Sequence, residues 1–470
     1  MIHTIEYVGM AGRKERDRAI KKAGYNTFLL MSKDVMIDLL TDSGTSAMSV
    51  EQWHKYNGGV ETQASSKDYF EFVETAQNLT GYKYIVPTHQ GRAAEHIMSQ
   101  IMIENGFVPG NMYFTTTKLH QEMAGGTFVD VITDEAHDPT SRFEWKGNIN
   151  LTKLDDLVKK HGSNNFPYIS FEMSVNMAGG QPFSMDNARK LYDYCRKHEI
   201  PVMFDSTRAA ENAYMIKKRD PSYHNVSIKE ILKEMFSYGD GCTWSSKKDP
   251  LVNIGGMLAF RSDENLYKKS LEMLRKHEGT VTSGGMSAGD MAAQAQGLRE
   301  MANENYIRSR VEQTQYLGKK LIDAGIPIVE PPGSHAIFLD AKRFLPHLDQ
   351  DEFPAQALSA AIFVECGVRA MERGNVSKGR DPKTGENYRP ALELVRLTIP
   401  RRAYTNSHMD TVAQGIISVY HRRKLIKGLR FTYEPKVLRF FQGKFEETSR
   451  KADKKKTTQK KKTGILQVSH

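Results

Sequence analysis

Lys247 and Lys248 stand between a serine turn and a short apolar run, in the stretch GCTWSSKKDPLVNIGG from Gly241 to Gly256. A lysine amine attacks an aldehyde only after shedding its proton, which partial shielding from water promotes. Ser245 can bind a phosphate at that turn, and Lys247 can neutralise it. These positions suit a cofactor carrying both an aldehyde and a phosphate, as pyridoxal phosphate does. A lysine pair on a solvated surface has the same local sequence, so the rest of the chain has to separate the two readings.

Other apolar runs end in groups of matching use. After IVP come Gln90, Gly91 and Arg92, followed by AAEHIMSQIMI; a glycine turn into a helix start offers free N–H groups to a phosphate, and Arg92 adds charge. After IPVMF comes Asp205, with Arg208 three residues on. A carboxylate there can keep a pyridine nitrogen protonated, while Arg208 and Asn176 can polarise a ring hydroxyl. The same spacing also fits a helix N-cap with its own salt bridge. Phe114, in NMYFTTTK, can stack on a ring or fill a core. The order of the parts, phosphate turn, aromatic, Asn, Asp-x-x-Arg and Ser-x-Lys-Lys, favours one cofactor site over independent structural roles.

The elements that must position these groups alternate along the chain. Strand-like runs at 82–89, 126–133, 167–174, 200–207 and 253–260 are separated by amphipathic stretches such as 90–104, 184–198 and 227–238. That alternation predicts an α/β fold with a mostly parallel sheet covered on both faces, and ligands beyond the C-terminal strand ends. One long helical pattern, 287–324, leads to a second unit with strands near 326–340 and 392–400. The expected division is an N-terminal arm with part of a small domain (1–45), a large cofactor-binding domain (46–310), a small C-terminal domain (311–445) and a disordered Lys-rich tail (446–470).

The 470 residues, 39% apolar, can bury one large and one smaller core. No run reaches the roughly 18 apolar residues of a membrane span, and the first residues lack an apolar signal segment. Cys195, Cys242 and Cys366 have no metal or redox spacing and are read as reduced thiols of a cytoplasmic protein. The net charge of +10 sits mostly between Arg450 and Lys462, where eight basic residues accompany one acid. The body is close to neutral, which argues against nucleic acid as a partner and for a solubilising or sorting tail.

PTHQGR, GNMYFTTT, NMAGGQP, ENAY, LVNIGG, FPAQ, MERG, VRLTIPRR and FTYEPKVLRFF resemble the tyrosine phenol-lyase and tryptophanase family, the aromatic amino-acid β-eliminating lyases, from about residue 5 to 445. The resemblance implies a fold-type-I pyridoxal-phosphate enzyme with a large and a small α/β domain. It further implies a homotetramer with shared active sites, activated by potassium, that releases pyruvate and ammonia from an L-amino acid. Residue by residue it implies Lys248 as Schiff-base lysine and α-proton base, and Gln90, Gly91, Arg92, Ser245 and Lys247 as the phosphate site. Phe114 becomes the stacking ring, Asp205 the partner of the ring nitrogen, and Asn176 and Arg208 the groups near the ring oxygen. Arg396 becomes the clamp on the substrate carboxylate, assisted by Ser43 and Asn176. Gly44, Glu61 and Asn253 become the cation ligands.

For the leaving group the resemblance implies Thr115 and Arg373 at a ring oxygen and Phe28, Met371, Phe440 and Phe441 as the apolar wall, a pocket for a hydroxyaryl group over indole. The chain departs from the family at Gln63, where a tyrosine serves as acid on the leaving group, and at Ser283, where a second tyrosine stands. A glutamine amide does not supply that proton, so the substrate is expected to have a better leaving group or a modified ring. The alternatives are a changed reaction on the same cofactor (C–S elimination, β-substitution, decarboxylation or transamination) and a weakly active binding paralogue.

Overall fold

The computed structural model describes residues 10–62, 64–381 and 383–449. Gln63 and the Lys-rich tail from residue 450 lie outside the described residues.

Seven short runs rich in Val, Ile, Phe and Met form the main sheet: β1 Tyr84–Thr88, β2 Phe107–Gly110, β3 Thr127–Asp130, β4 Ile169–Glu172, β5 Val202–Asp205, β6 Gly241–Ser245 and β7 Gly256–Phe260, in the spatial order β1-β7-β6-β5-β4-β2-β3. β5, β6 and β7 are buried along their whole length, as continuous apolar strands between two helical layers must be. Only β7 runs against the rest, pairing antiparallel with β1 and β6. Residues 246–255 therefore return the chain directly from β6 to β7, and the two lysines lie in that return. Helices α1 (Gly91–Met102), α2 (Thr115–Met123) and α3 (Ala209–Arg219) start just after β1, β2 and β5, at the C-terminal sheet edge.

Glycine sets the closest approach there. A Cβ on Gly91 would lie 2.6 Å from the Ser245 Cβ and 3.0 Å from its Cα, and one on Gly256 would lie 2.6 Å from the Gln90 carbonyl carbon. Bare backbone at both positions lets the start of α1 rest against the end of β6.

Two expectations are corrected. The single helical pattern at 287–324 is two helices, Ala288–Glu300 and α4 (Glu304–Asp323), because the Asn303 side chain accepts from the Asn305 and Tyr306 amides and caps a new helix. The run 326–340 is a strand only at β8, Ala336–Asp340; Pro331, Pro332 and Gly333 break what precedes it, leaving one bridge from Ile328 to Leu339. β2 was missed because Pro109 argues against an inner strand.

β8, β9 (Met371–Arg373) and β10 (Leu394–Thr398) make an antiparallel sheet in the order β9-β10-β8, with helices Pro354–Cys366 and Asn406–His421 packed beside it. Ile37–Asp38 pairs in parallel with Val368–Arg369. Strand Lys444–Glu447 runs two residues beyond the expected end of the ordered body.

Six buried charges join the parts. Asp42 accepts from Arg208 (2.8 Å) and Arg401 (2.9 Å), with Arg310 at 3.5 Å. Glu211 pairs with Arg310 and Arg401, and Asp249 with Arg401 at 2.8 Å. Burial alone would raise the Asp42 carboxyl, but Arg208 and Arg401 hold it well below the usual carboxylate range.

Candidate active site

A cavity of about 210 Å³ opens at the C-terminal sheet edge. Lys248, Ser245, Gln90, Gly91, Arg92, Phe114, Asp205 and Arg208 line it, and so do Ser43, Thr115, Met371, Arg373, Arg396, Phe28, Phe440 and Phe441. These residues come from nine separate stretches of sequence.

Lys248 donates to the Ser245 Oγ at 2.9 Å. Burial, and after it the Arg208 charge, brings its amine from 10.5 down to about 8. α1 begins with Gln90 as cap residue and no side-chain cap, so its first N–H groups face the cavity rim unclaimed by a cap. Lys247 lies off the lining, and its amine is lowered by burial and then by the nearby charge of Arg92. Two cations set beside an uncapped helix start fit a phosphate.

Asp205 ends β5, and its Oδ1 accepts from the Thr207 amide at 3.1 Å. Two further carboxyls line the same cavity. Burial, then the Asp205 charge, pushes Glu95 up to about 7 and Glu172 up to about 8. Besides burial, the crowding of three carboxyls at one sheet edge opposes ionisation of Glu95 and Glu172. Glu95 and Glu172 escaped the sequence reading because each interrupts an apolar run. The signal available was a carboxylate four residues into α1 and another at the end of β4.

Asn176 is just behind the lining. Its Oδ1 accepts from Arg396 Nη1 at 3.0 Å and faces His335 Nε2 at 3.0 Å, leaving its buried Nδ2 without a partner among the described residues. Arg396 also donates to the Leu40 carbonyl at 2.9 Å, while its Nε is buried and unpartnered. Arg208 is committed to Asp42 through two nitrogens.

On the opposite wall β9 alternates. Met371 and Arg373 face the cavity, while Glu372 turns away to accept from the amides of Gly374, Val376 and Ser377. The Arg373 guanidinium sits 5.6 Å from the Phe440 ring centroid and 5.9 Å from that of Phe114. Its Nε and Nη1 are buried without a hydrogen-bond partner, and burial brings it down to about 10. Phe28 packs edge-on against Phe441 at 5.0 Å.

The remaining expected residues stand elsewhere. Gly44 (φ +72°) approaches the Asn253 carbonyl, which a Cβ there would meet at 2.9 Å. Glu61 is exposed and accepts from the Ala288 amide at 2.8 Å. Ser283 bonds to Thr280 at 2.9 Å.

Pyridoxal phosphate fits this donor set. The cavity holds a buried amine of lowered basicity, an uncapped helix start with two cations, an aromatic face, a carboxylate at a strand end, and buried guanidinium and amide N–H groups that lack acceptors.

The profile of the β-eliminating lyase family matches residues 38–415. Tyrosine phenol-lyase of Symbiobacterium sp. (strain SC-1) is 54% identical over 449 residues, 95% of this chain and 98% of that protein. Those of Fusobacterium nucleatum subsp. nucleatum and Nostoc punctiforme are each 55% identical, over 94% and 95% of this chain and 96% and 95% of theirs. None is named as a transaminase, a decarboxylase or a binding protein, so the alternatives weighed from the sequence are not favoured. Among solved structures, a Sphingomonas wittichii serine palmitoyltransferase superposes with TM-score 0.60 at 11% identity, covering 88% of this chain and 97% of that one. An aromatic aminotransferase of Pyrococcus horikoshii gives 0.57 at 15% identity, covering 88% and 100%. These last two show the fold alone. The chain belongs to the β-eliminating lyase family and is a pyridoxal-phosphate-dependent lyase of fold type I.

Proposed function

We propose that the protein, with uptake of one water, splits the Cβ–ring bond of an L-amino acid carrying an oxygenated aromatic ring, L-tyrosine in the simplest case, to the free phenol, pyruvate and ammonia. The observation that carries this reading is the wall of Arg373, Thr115 and four phenylalanines on the cavity that holds Lys248 and Arg396. An apolar slot ending in a guanidinium with unpartnered N–H groups asks for a flat ring with an oxygen at its far end.

Arg396, with Ser43 and Asn176 beside it, holds the substrate carboxylate and so orients the Cα–H bond. Lys248, whose amine is neutral above about pH 8, takes the proton from Cα. Bound pyridoxal phosphate supplies the electron sink for the pair left there. Asp205 would pair with the ring nitrogen of that group and Phe114 would stack on its ring. Gln90, Gly91, Arg92, Ser245 and Lys247 would hold the phosphate, and Arg208 would stand near the ring oxygen. Arg373 and Thr115 hold the phenolic oxygen as the ring departs.

The same reading includes a homotetramer with shared sites and a potassium ion on oxygens of Gly44, Glu61 and Asn253. Support is the close approach of Gly44 to the Asn253 carbonyl and the exposure of Glu61. A cytoplasmic setting accords with three unpaired cysteines, whose thiols burial raises to about 11 or 12, and no described helix is long and apolar enough to cross a membrane.

The test is pyruvate and ammonia release by the cofactor-loaded protein in potassium buffer from L-tyrosine, L-tryptophan and S-methyl-L-cysteine, with Lys248→Ala as control. Release from tyrosine in preference to tryptophan is expected. A yellow protein silent on all three would overturn the reading.

A further inference from the structure

Beyond Thr115 lies a second, larger cavity of about 770 Å³, and Thr115 lines both. The segment Tyr113–Thr115 is the partition. On its inner side Phe114 faces the Arg373 guanidinium at 5.9 Å, and on its outer side Tyr113 faces the Lys378 ammonium at 3.8 Å from the ring centroid. Arg373 and Lys378 are five residues apart, on one turn pinned by the Glu372 carboxylate through the Gly374, Val376 and Ser377 amides. Each side of the partition thus presents one aromatic face and one cation.

Of the other charges around the outer cavity all but one are matched; Lys436 is exposed to solvent and has no ion pair among the described residues. Lys118 pairs with Glu122 at 2.9 Å, and Arg380 and Arg439 share Glu434. Lys378 has no carboxylate within ion-pair distance among the described residues; its neighbours are the rings of Tyr113 and, at 5.6 Å, Tyr388. Burial, and then the charge of Lys118, lowers its amine to about 8. Val376 and Leu438 give the cavity apolar surface beside this cation. A simple inorganic anion would use the cation and waste the apolar surface; a neutral ring would do the reverse.

We propose that this outer cavity is a binding site for a small anionic aromatic, an aryl carboxylate, held by Lys378. The site stands apart from the reading of the inner site given above, since binding requires no turnover.

The experiment is equilibrium dialysis of the cofactor-loaded protein against 4-hydroxybenzoate at pH 7, with the inner pocket saturated by L-phenylalanine, whose ring lacks the oxygen. The expected result is one molecule bound per subunit, an affinity about tenfold or more lower in Lys378→Met, largely restored in Lys378→Arg, and weak binding of the uncharged 4-hydroxybenzamide. Unchanged cofactor absorbance and unchanged pyruvate release from S-methyl-L-cysteine show that the variants keep the inner site. Loss of binding when phenylalanine is present, wild-type affinity in Lys378→Met, or equal affinity for the benzamide would each overturn the proposal. A protein that binds 4-hydroxybenzoate in this way yet releases no pyruvate from L-tyrosine would overturn only the substrate reading given above.

Discussion

Replacing Arg373 by methionine keeps much of the stem volume and removes the guanidinium. Nε and Nη1 of Arg373 are buried without partners, so they have hydrogen bonds to give only when a substrate oxygen arrives. A charge-assisted hydrogen bond contributes about 1.5–3 kcal/mol, which at about 1.4 kcal/mol per factor of ten makes a loss of roughly 10- to 150-fold in kcat/KM for L-tyrosine. S-methyl-L-cysteine has no ring oxygen and loses nothing by the same argument. The free protein behaves in the opposite sense. Desolvated, unpaired donors cost about 1–3 kcal/mol, so the cofactor-free variant should melt at a higher temperature than the parent. The assay pairs pyruvate release on the two substrates with thermal unfolding of the cofactor-free protein. An equal fall on both substrates, or a lower Tm, would refute the reasoning by showing that Arg373 supports the fold and not the leaving group.

Lys248 gives a pH prediction. Its folded pKa of about 8 lies below the ordinary 10.5, so the buried ammonium costs stability below pH 8 and that cost is relieved between pH 8 and 10.5. Capture of added pyridoxal phosphate by the cofactor-free protein, followed by stopped-flow absorbance, should speed up by about tenfold per pH unit below 8 and level off above it. Gly91→Ala sets a methyl 2.6 Å from the Ser245 side chain; shifting the start of α1 should cost about 1–3 kcal/mol, seen as about fivefold or more weaker cofactor binding in equilibrium dialysis. Gln63→Tyr should raise tyrosine turnover by up to about 100-fold while leaving S-methyl-L-cysteine unchanged, since only the carbon leaving group needs the proton; no gain in pyruvate release would place the limiting step elsewhere.

The parts of the site that can be read from the sequence are those built at one strand end. Gln90-Gly91-Arg92, Asp205 and Ser245 with Lys248 each follow an apolar run, and a parallel sheet brings such ends to one edge whatever the loops do. The opposite wall depends on how a second unit docks. Nothing local to Met371, Arg373, Phe440 or Phe441 says that they meet Thr115, and only the family resemblance led to them. Glu95 and Glu172 were hidden for the reverse reason, being polar atoms inside segments whose apolar periodicity announced a helix and a strand. The break at Asn303 was missed because apolar spacing continues across it, although the side-chain cap that makes the break is one asparagine.

The six-charge cluster around Asp42 has a consequence for how this chain can change over generations. Deleting Asp42 takes from Arg208 its close partner, and deleting Arg401 takes from Asp249 its ion pair, each at about 3–5 kcal/mol, a large part of the 5–15 kcal/mol that separates folded from unfolded domains. Asp249 belongs to the cluster and adjoins Lys248, so the lysine proposed to hold the cofactor neighbours a position that resists substitution. Arg373 and Thr115 share no ion pair with the cluster among the described residues. Drift is therefore steered toward the leaving-group wall, where new substrates can be tried while the shared cofactor chemistry is handed down intact.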